Sequence, residues 1–193
     1  MNKGFTIAFL IFSLFFIFIR IRDTFFKDKV GRGVIKKKWT LHALTFIYSG
    51  VALAAFIEYF VVQRSINLLV SGIGLVLYIT AVLLRNWAIN TLGQYYSPHI
   101  QIKVNHMLIQ DGPYKVVRHP IYLSIIFELL GAILIPNSYF SFVLALISYI
   151  PLLMVRLYYE EKELIEKFGE QYILYMNTTP ALLPIRGLIK LLP

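Results

Sequence analysis

The residues Gly112-Pro-Tyr-Lys-Val-Val-Arg-His-Pro-Ile-Tyr122 form a polar turn that leads directly into an apolar helix. Pro120 suits the first turn of that helix, because no amide hydrogen is needed there. A second apolar helix follows and ends near Arg156 and Glu160. These two residues are four positions apart and therefore share one face if the helix continues. The pattern predicts that these polar groups gather at one membrane surface, where a polar molecule meets an apolar one.

The whole chain is too apolar for a water-soluble domain of its length. It has 193 residues, of which 58% are hydrophobic, and its mean hydropathy is +0.68. A helix needs roughly 20 apolar residues to cross about 30 Å of hydrocarbon. We therefore predict an all-α integral membrane protein with five transmembrane helices and a C-terminal amphipathic helix over residues 160–176. The five predicted spans are residues 5–21, 41–62, 66–84, 121–135 and 139–157.

Positive charge is distributed unevenly along the chain. The net charge is +9, and the 19 lysines and arginines include eight between residues 20 and 38, four between 85 and 118, and five between 156 and 190. With five spans these 17 lie on one side of the membrane, and Lys3 and Arg64 lie on the other. By the positive-inside rule we expect the N-terminus outside, and the C-terminus and the polar site in the cytoplasm. The basic excess then reflects topology and contact with membrane lipids, not binding to nucleic acid.

The residue types present exclude some kinds of site and disfavour others. There is no cysteine, which excludes disulfides, thiolate nucleophiles and thiolate metal sites. The four histidines show no metal-binding spacing, so we expect no metal. Gly72-Ile-Gly74 lies inside the third span with no strand before it. We interpret it as a close contact between helices, not as a phosphate-binding loop.

Several short motifs follow one another from the third span to the tail. They are Leu92-Gly93, His106-Met-Leu-Ile109, Gly112-Pro-Tyr114, Arg118-His-Pro-x-Tyr122, Arg156-x-x-x-Glu160-Glu161, Phe168-Gly-Glu-Gln-Tyr172 and Pro180-x-Leu-Leu-Pro184. In this order they resemble the isoprenylcysteine carboxyl methyltransferase family, and the resemblance covers about half of the chain. The Arg-His-Pro-x-Tyr element alone also occurs in related phospholipid methyltransferases and sterol reductases.

The resemblance implies an enzyme that transfers a methyl group from S-adenosylmethionine to a lipophilic small molecule or a prenylated substrate. It implies carboxyl O-methylation of an isoprenylcysteine-like acceptor, with Arg156 as the substrate-binding and catalytic arginine. The implied cofactor contacts are His106, Met107, Leu108, Ile109, Tyr114, Arg118, His119, Pro120, Ile121, Tyr122 and Glu160. A further loop contact of the family falls at His99 or at Gln101. We expect one domain over residues 1–193, with a catalytic core at 66–184 and with spans one and two (5–62) peripheral.

The role of Glu128 and the identity of the acceptor stay open at the level of sequence. Glu128 lies about two turns into the fourth span, where a carboxylate is costly unless it is paired or lines a polar cavity. It either contacts the substrate or makes a structural hydrogen bond. The alternative acceptor is an amino-phospholipid or another long-chain compound. An NADPH-dependent sterol-type reductase is a more distant alternative, because such a bundle suggests a chain about twice as long.

Overall fold

The computed structural model describes residues 3–25, 33–36, 38–97, 100–103 and 107–183. Its helices and strands, in chain order, are α1 (Lys3–Phe25), β1 (Gly33–Lys36), α2 (Lys38–Val62), α3 (Leu68–Leu92), β2 (Ile100–Lys103), α4 (Pro120–Leu134), α5 (Tyr139–Leu144), α6 (Ile150–Phe168) and α7 (Glu170–Thr178). A π-helical turn at Ala145–Tyr149 joins α5 to α6, so that these two helices form one continuous rod.

Three helices are long and apolar enough to cross a bilayer. They are α2 over Trp39–Val62, α3 with its final turn over Leu68–Tyr95, and the α5–α6 rod over Tyr139–Phe168. The apolar parts of α1 (Lys3–Ile19) and α4 (Pro120–Leu134) are shorter. The prediction of five spans thus agrees with the structure for three helices, and it stays a prediction for α1 and α4.

Helix α3 has one side that faces outward and one that faces the other helices. Leu69, Val76 and Leu83 are exposed at intervals of seven residues, as expected of a face that contacts lipid. The buried residues of this helix are Ser71, Gly74, Tyr78, Ala81, Arg85 and Ala88. The sequence predicts that the span ends at residue 84, but the helix continues to Leu92. Arg85 ends the apolar run in the sequence, yet in the structure it is buried and paired.

Helices α3 and α4 approach so closely that their backbones almost touch. A Cβ atom added at Gly74 would lie 2.8 Å from the carbonyl oxygen of Gly131, and one added at Gly131 would lie 2.7 Å from that of Gly74. Small residues permit such an approach between helices in a membrane. The interpretation of Gly74 as a close helix contact is therefore confirmed. An added Cβ at Gly72 meets nothing within 4 Å, so only one of the two glycines makes this contact.

One short antiparallel sheet joins two connections of the bundle. β1 lies between α1 and α2, β2 lies between α3 and α4, and Gly33 pairs with Lys103 while Lys36 pairs with Ile100. Strand pairing places both connections on the same side of the bundle, in agreement with the charge pattern. The prediction of an all-α protein omits this sheet, because strands of four residues are too short to show a clear period in the sequence.

Helix α2 is part of the main core. One face of it is buried from end to end, with Thr40, Leu44, Tyr48, Val51 and Ala55. The apolar members of this face pack against Tyr149, Leu153 and Leu157, which belong to the α5–α6 rod. The second span is therefore part of the hydrophobic core, and its predicted place outside the catalytic core stays a prediction. The apolar residues of α2 show no motif, but their helical spacing places them on the one face that packs against the α5–α6 rod.

The chain breaks at Gly169 and then returns to the start of α4. Gly169 has φ +55°, a conformation that glycine adopts readily, and it divides the predicted helix over residues 160–176 into α6 and α7. After α7, the carbonyl oxygens of Pro180 and Ala181 accept hydrogen bonds from the amides of Arg118 and His119 at 2.8 and 3.0 Å. The segment after α7 thus lies against the Arg-His-Pro turn.

The glycine contact predicts a difference between two substitutions in the same helix. Gly74→Ala places a methyl group against backbone atoms of α4, and we expect it to lower the free energy of unfolding by about 1–3 kcal/mol. Gly72→Ala is the matched control, and we expect no loss there, because the position is open and alanine has the higher helix propensity. Thermal unfolding of both variants in one detergent measures the difference. Equal melting temperatures would contradict the contact.

Candidate functional site

The turn that precedes α4 is anchored under the end of α3. Gly112 has φ +57°, and an added Cβ atom would lie 2.8 Å from Oγ1 of Thr91 and 3.2 Å from Nε1 of Trp87. Both the backbone angle and the lack of space favour glycine at this position. The 3₁₀ turn that follows buries Pro113 and Tyr114. The chain therefore reaches the Arg-His-Pro turn from a fixed starting point.

The carboxylate of Glu161 is the centre of a buried ion cluster. Its Oε1 atom accepts hydrogen bonds from Nε and Nη2 of Arg118 at 2.9 and 2.7 Å, and it lies 3.0 Å from Nε2 of His119. All three side chains are buried. A carboxylate removed from water is costly unless donors and positive charge surround it. The cluster thus joins the start of α4 to α6.

Arg118 also holds the end of α7. Its Nη1 atom donates to the carbonyl oxygen of Met176 at 3.1 Å and to that of Thr179. The last carbonyls of a helix have no partner within that helix, so a cation at this position satisfies them. The guanidinium of Arg118 is therefore engaged by protein groups on two sides. Its predicted contact with a cofactor stays a prediction.

The hydroxyl of Tyr122 connects Arg156 with Glu160. It accepts a hydrogen bond from Nε of Arg156 at 3.0 Å and donates one to Oε2 of Glu160. Nη1 of Arg156 donates to Oγ1 of Thr40 at 2.8 Å. The ring of His119 stacks on that of Tyr122, with 5.6 Å between centroids and 9° between planes. Arg156 and Glu160 thus meet at one hydroxyl, as their four-residue spacing predicts.

Two buried tyrosine hydroxyls near the glutamates have no hydrogen-bond partner in the part of the chain that the structure describes. They belong to Tyr114 and Tyr172. Burial raises the pKa of both hydroxyls well above the usual range, and the negative charges of Glu160 and Glu161, respectively, raise it further. Both groups therefore stay protonated at neutral pH. An unpartnered buried donor costs free energy, which a polar ligand at this place would recover.

An open cleft of about 910 Å³ lies between residues 107–110 and helices α6 and α7. Two of the predicted cofactor residues, Met107 and Leu108, line it. Its other lining residues are Gln110, Lys167, Phe168, Gln171, Leu174, Tyr175 and Thr178. The hydroxyl of Tyr175 donates to the carbonyl oxygen of Tyr114, which connects the wall of the cleft with the turn before α4.

The other predicted site residues are found in different surroundings. Pro120 and Ile121 form the first turn of α4, where they lead from His119 to Tyr122. Ile109 is half-buried in the segment before Gly112. His106 and His99 lie outside the described residues. The structure thus brings the residues from 118 to 122 together with Arg156 and Glu160, while Met107 and Leu108 line the neighbouring cleft.

Glu128 is completely buried and accepts a hydrogen bond from Arg85 through its Oε2 atom. The two residues lie on α4 and α3, 43 positions apart in the sequence. Pairing of this kind is what a carboxylate inside a membrane helix requires. Of the two roles that the sequence leaves open, the structural hydrogen bond is present here. Contact between Glu128 and a substrate stays a prediction.

Three residues near Arg156 and the two glutamates receive no role from the sequence. Glu161 belongs to a quoted motif, but the resemblance does not say that it binds Arg118. Thr40 lies in a span without any motif, and Tyr172 is at a position where aromatic residues on a helix usually indicate packing. The one available signal is the threonine itself, since it occupies the apolar face of a helix that otherwise carries leucine, tyrosine, valine and alanine.

Comparison with known proteins places this geometry in a family. Residues 73–166, from the second turn of α3 to the last turn of α6, match the isoprenylcysteine carboxyl methyltransferase (ICMT) family. The matched range contains Tyr122, Arg156 and Glu160. A solved structure of the eukaryotic intramembrane Ras methyltransferase ICMT is similar over 72% of this chain, with a TM-score of 0.65 and 27% identity. Over about half of its length, the chain is thus similar to the isoprenylcysteine carboxyl methyltransferase family.

Curated relatives in the ICMT family are similar over a comparable part of the chain. Protein-S-isoprenylcysteine O-methyltransferase B of Arabidopsis thaliana is 30% identical over 118 residues, which cover 60% of this chain and 59% of the relative. The Tribolium castaneum protein-S-isoprenylcysteine O-methyltransferase is 30% identical over 139 residues, which cover 67% of this chain and 49% of the relative. The match to the solved ICMT covers 52% of that chain. The chain thus spans about half to three fifths of the length of these relatives. Its apolar helices and its similarity to the solved structure show an integral membrane protein of ICMT-like fold.

The contacts of Arg118 predict a local change when this side chain is shortened. Arg118→Met removes the donors to Glu161 and to the carbonyls of Met176 and Thr179, and we expect faster proteolysis of residues 179–183. Loss of one partner from a buried pair costs about 3–5 kcal/mol, so the melting temperature should also fall. The matched control is Lys115→Met, which removes an exposed cation from the same turn. Limited proteolysis with mass analysis of the fragments measures the change, and equal cleavage of both variants would contradict the role of Arg118.

Proposed function

We propose that this protein transfers a methyl group from S-adenosylmethionine to the carboxylate of an isoprenylcysteine-like acceptor. The observation that carries the proposal is the meeting of Arg156 and Glu160 at the hydroxyl of Tyr122. It places a cation suited to an acceptor carboxylate beside an anion suited to a cationic methyl donor. The match to the ICMT family supports the same reaction, and the relatives named above are described as O-methyltransferases of protein-S-isoprenylcysteine.

The residues around Glu160 fit S-adenosylmethionine, which combines a sulfonium cation with several hydrogen-bonding groups. Glu160 is partly exposed and would accept hydrogen bonds from the ribose hydroxyls or the amino group of this ligand. Tyr114 offers a buried, protonated hydroxyl without a partner in the described part of the chain. The rings of Tyr114 and Tyr122 offer faces to a cation. Backbone groups of Met107–Ile109 would read the adenine. When bound, S-adenosylmethionine supplies an electrophilic methyl group.

Arg156 would hold the acceptor by charge-assisted hydrogen bonds to its carboxylate. A carboxylate is already ionised at neutral pH, so this acceptor needs no general base. The work of the protein is then to align the acceptor and to exclude water. The side chain of Arg156 is only 4% exposed, so its charge acts where screening by water is weak.

The same proposal includes five spans and a site that opens to the cytoplasm. Pairing of β1 with β2 and return of the tail to Arg118 bring three connections to one side of the bundle. These are the parts of the chain that hold most of the lysines and arginines. By the positive-inside rule this side faces the cytoplasm, and the N-terminus lies outside. The cofactor would enter from the cytoplasm and the lipophilic acceptor from the bilayer, within one domain.

The first test of the proposal is the choice of ligand. We expect the purified protein in detergent to bind S-adenosylmethionine and its demethylated product with micromolar affinity and not to bind NADPH. Glu160→Gln should weaken cofactor binding roughly 10- to 150-fold, as expected for the loss of a charged hydrogen bond of about 1.5–3 kcal/mol. Glu166→Gln, which changes an exposed carboxylate of the same helix, is the control. Calorimetry measures the affinity of the wild-type protein for the three ligands and that of both variants for S-adenosylmethionine. Binding of NADPH alone would remove the methyltransferase proposal.

The second test separates a carboxylate acceptor from an amine. Lysine is a point charge that cannot replace the planar fork of arginine, so Arg156→Lys should lower methyl transfer roughly 10- to 150-fold while cofactor affinity stays nearly unchanged. Arg156→Gln should lower it at least as much. A protonated amine acceptor would instead be repelled by Arg156, and the neutral variant would then be tolerated or faster. Turnover of a prenylated cysteine and of an amino-phospholipid by both variants decides between the two acceptors.

A further inference from the structure

The guanidinium of Arg156 is held by residues from two other helices. Tyr122 of α4 accepts a hydrogen bond from Nε at 3.0 Å, and Thr40 of α2 accepts one from Nη1 at 2.8 Å. Tyr122 lies within the range 73–166 that matches the ICMT family, whereas Thr40 lies outside it. The contact with Thr40 joins positions that are 116 residues apart in the sequence.

Thr40 is a polar residue in an apolar position. It has no exposed surface, and it is the first member of the buried face that continues with Leu44 and Tyr48. Burial of a hydroxyl costs free energy unless a hydrogen bond compensates for it. A valine would fill the same space without this cost. The bond to Arg156 compensates for the burial of a hydroxyl at this place.

Two contacts on different nitrogens restrict a guanidinium more than one contact does. The group is planar, and hydrogen bonds at Nε and at Nη1 fix both its position and the orientation of its plane. Recognition of a carboxylate by such a fork depends on that orientation. The place of Thr40 is itself restricted, since α2 begins only two residues after β1, and β1 is paired with β2.

From this geometry we propose that Thr40 is a positioning residue of the methyl-transfer site, whose hydroxyl orients the Arg156 guanidinium toward the acceptor carboxylate. The inference rests on the proposed function and adds to it a contribution from α2. Thr40 acts through Arg156 and does not touch the reacting atoms. Its loss therefore affects the acceptor and not the methyl donor.

The kinetic test compares three variants of α2 with a prenylated cysteine that carries a free carboxyl group. Thr40→Val keeps the shape and removes the hydroxyl, and it should lower kcat/KM for the acceptor about 5- to 30-fold while the affinity for S-adenosylmethionine stays unchanged. Thr40→Ser retains the hydroxyl and should restore most of the activity. Thr45→Val is the matched control, because this exposed threonine donates within its own helix, to the carbonyl oxygen of Leu41 at 2.8 Å.

A coupling measurement separates positioning from a general loss of stability. If Thr40 acts through Arg156, Thr40→Val should reduce kcat/KM much less in an Arg156→Lys background than in the wild-type protein. A purely structural effect of Thr40 would be about as large in both backgrounds. Equal reductions in the two backgrounds, or equal activity of the Val and Ser variants, would overturn the inference.

A spectroscopic measurement does not depend on methyl transfer. In the ¹⁵N–¹H spectrum of the arginine side chains, the Nη1–H signal of Arg156 is among those that Arg156→Lys removes, and Nη1 is the atom that donates to Thr40. Slow solvent exchange of this signal in the wild-type and Thr40→Ser proteins, and fast exchange in Thr40→Val, would support the contact. Unchanged exchange in Thr40→Val would overturn it. If this signal exchanges slowly in the wild-type protein but the protein does not methylate a prenylated cysteine, the proposed function is refuted. The role of Thr40 toward an acceptor is then refuted as well.

Discussion

A carboxylate that leaves water must find donors and positive charge inside the protein, and Glu161 finds both on the Arg-His-Pro turn. This constraint fixes α6 against the start of α4 through Arg118 and His119. Glu160 directly precedes Glu161 on the same helix. The bonds that fix Glu161 therefore also determine the position of Glu160. Arg118 extends the constraint to the end of α7. One buried charge thus sets the relative position of three parts of the chain.

Satisfied and unsatisfied polar groups are separated within this region. Glu161, Glu128 and their arginine partners are buried in pairs and serve the architecture. Glu160 is partly exposed, and the hydroxyl of Tyr114 has no partner among the described residues. An unpartnered buried hydroxyl such as that of Tyr114 costs free energy in the protein alone, and a polar ligand would recover it. The contrast distinguishes residues that hold the helices together from residues for which we propose a contact with a ligand.

The sequence predicts what depends on neighbours along the chain and misses what depends on neighbours in space. Helix α3 follows from its apolar run, the turn at Pro120 from the chemistry of proline, and the shared face of Arg156 and Glu160 from their spacing. The pairing of Arg85 with Glu128 and of Thr40 with Arg156 joins helices whose mutual arrangement no local pattern encodes. For the same reason the third span is expected to end at residue 84, whereas α3 continues to Leu92. The sequence does not distinguish an arginine that is buried and paired from one at the membrane surface.

The contact between Gly74 and Gly131 limits the routes by which a long hydrocarbon tail can travel. At the depth of these glycines, the space between α3 and α4 does not admit even one methyl group. A polyisoprene chain is wider than a methyl group along its whole length. A tail that enters the bundle at this depth must therefore pass between another pair of helices. This close contact excludes a hydrocarbon chain from the interface between α3 and α4 at that depth. Apolar molecules are thereby directed to the other helix interfaces.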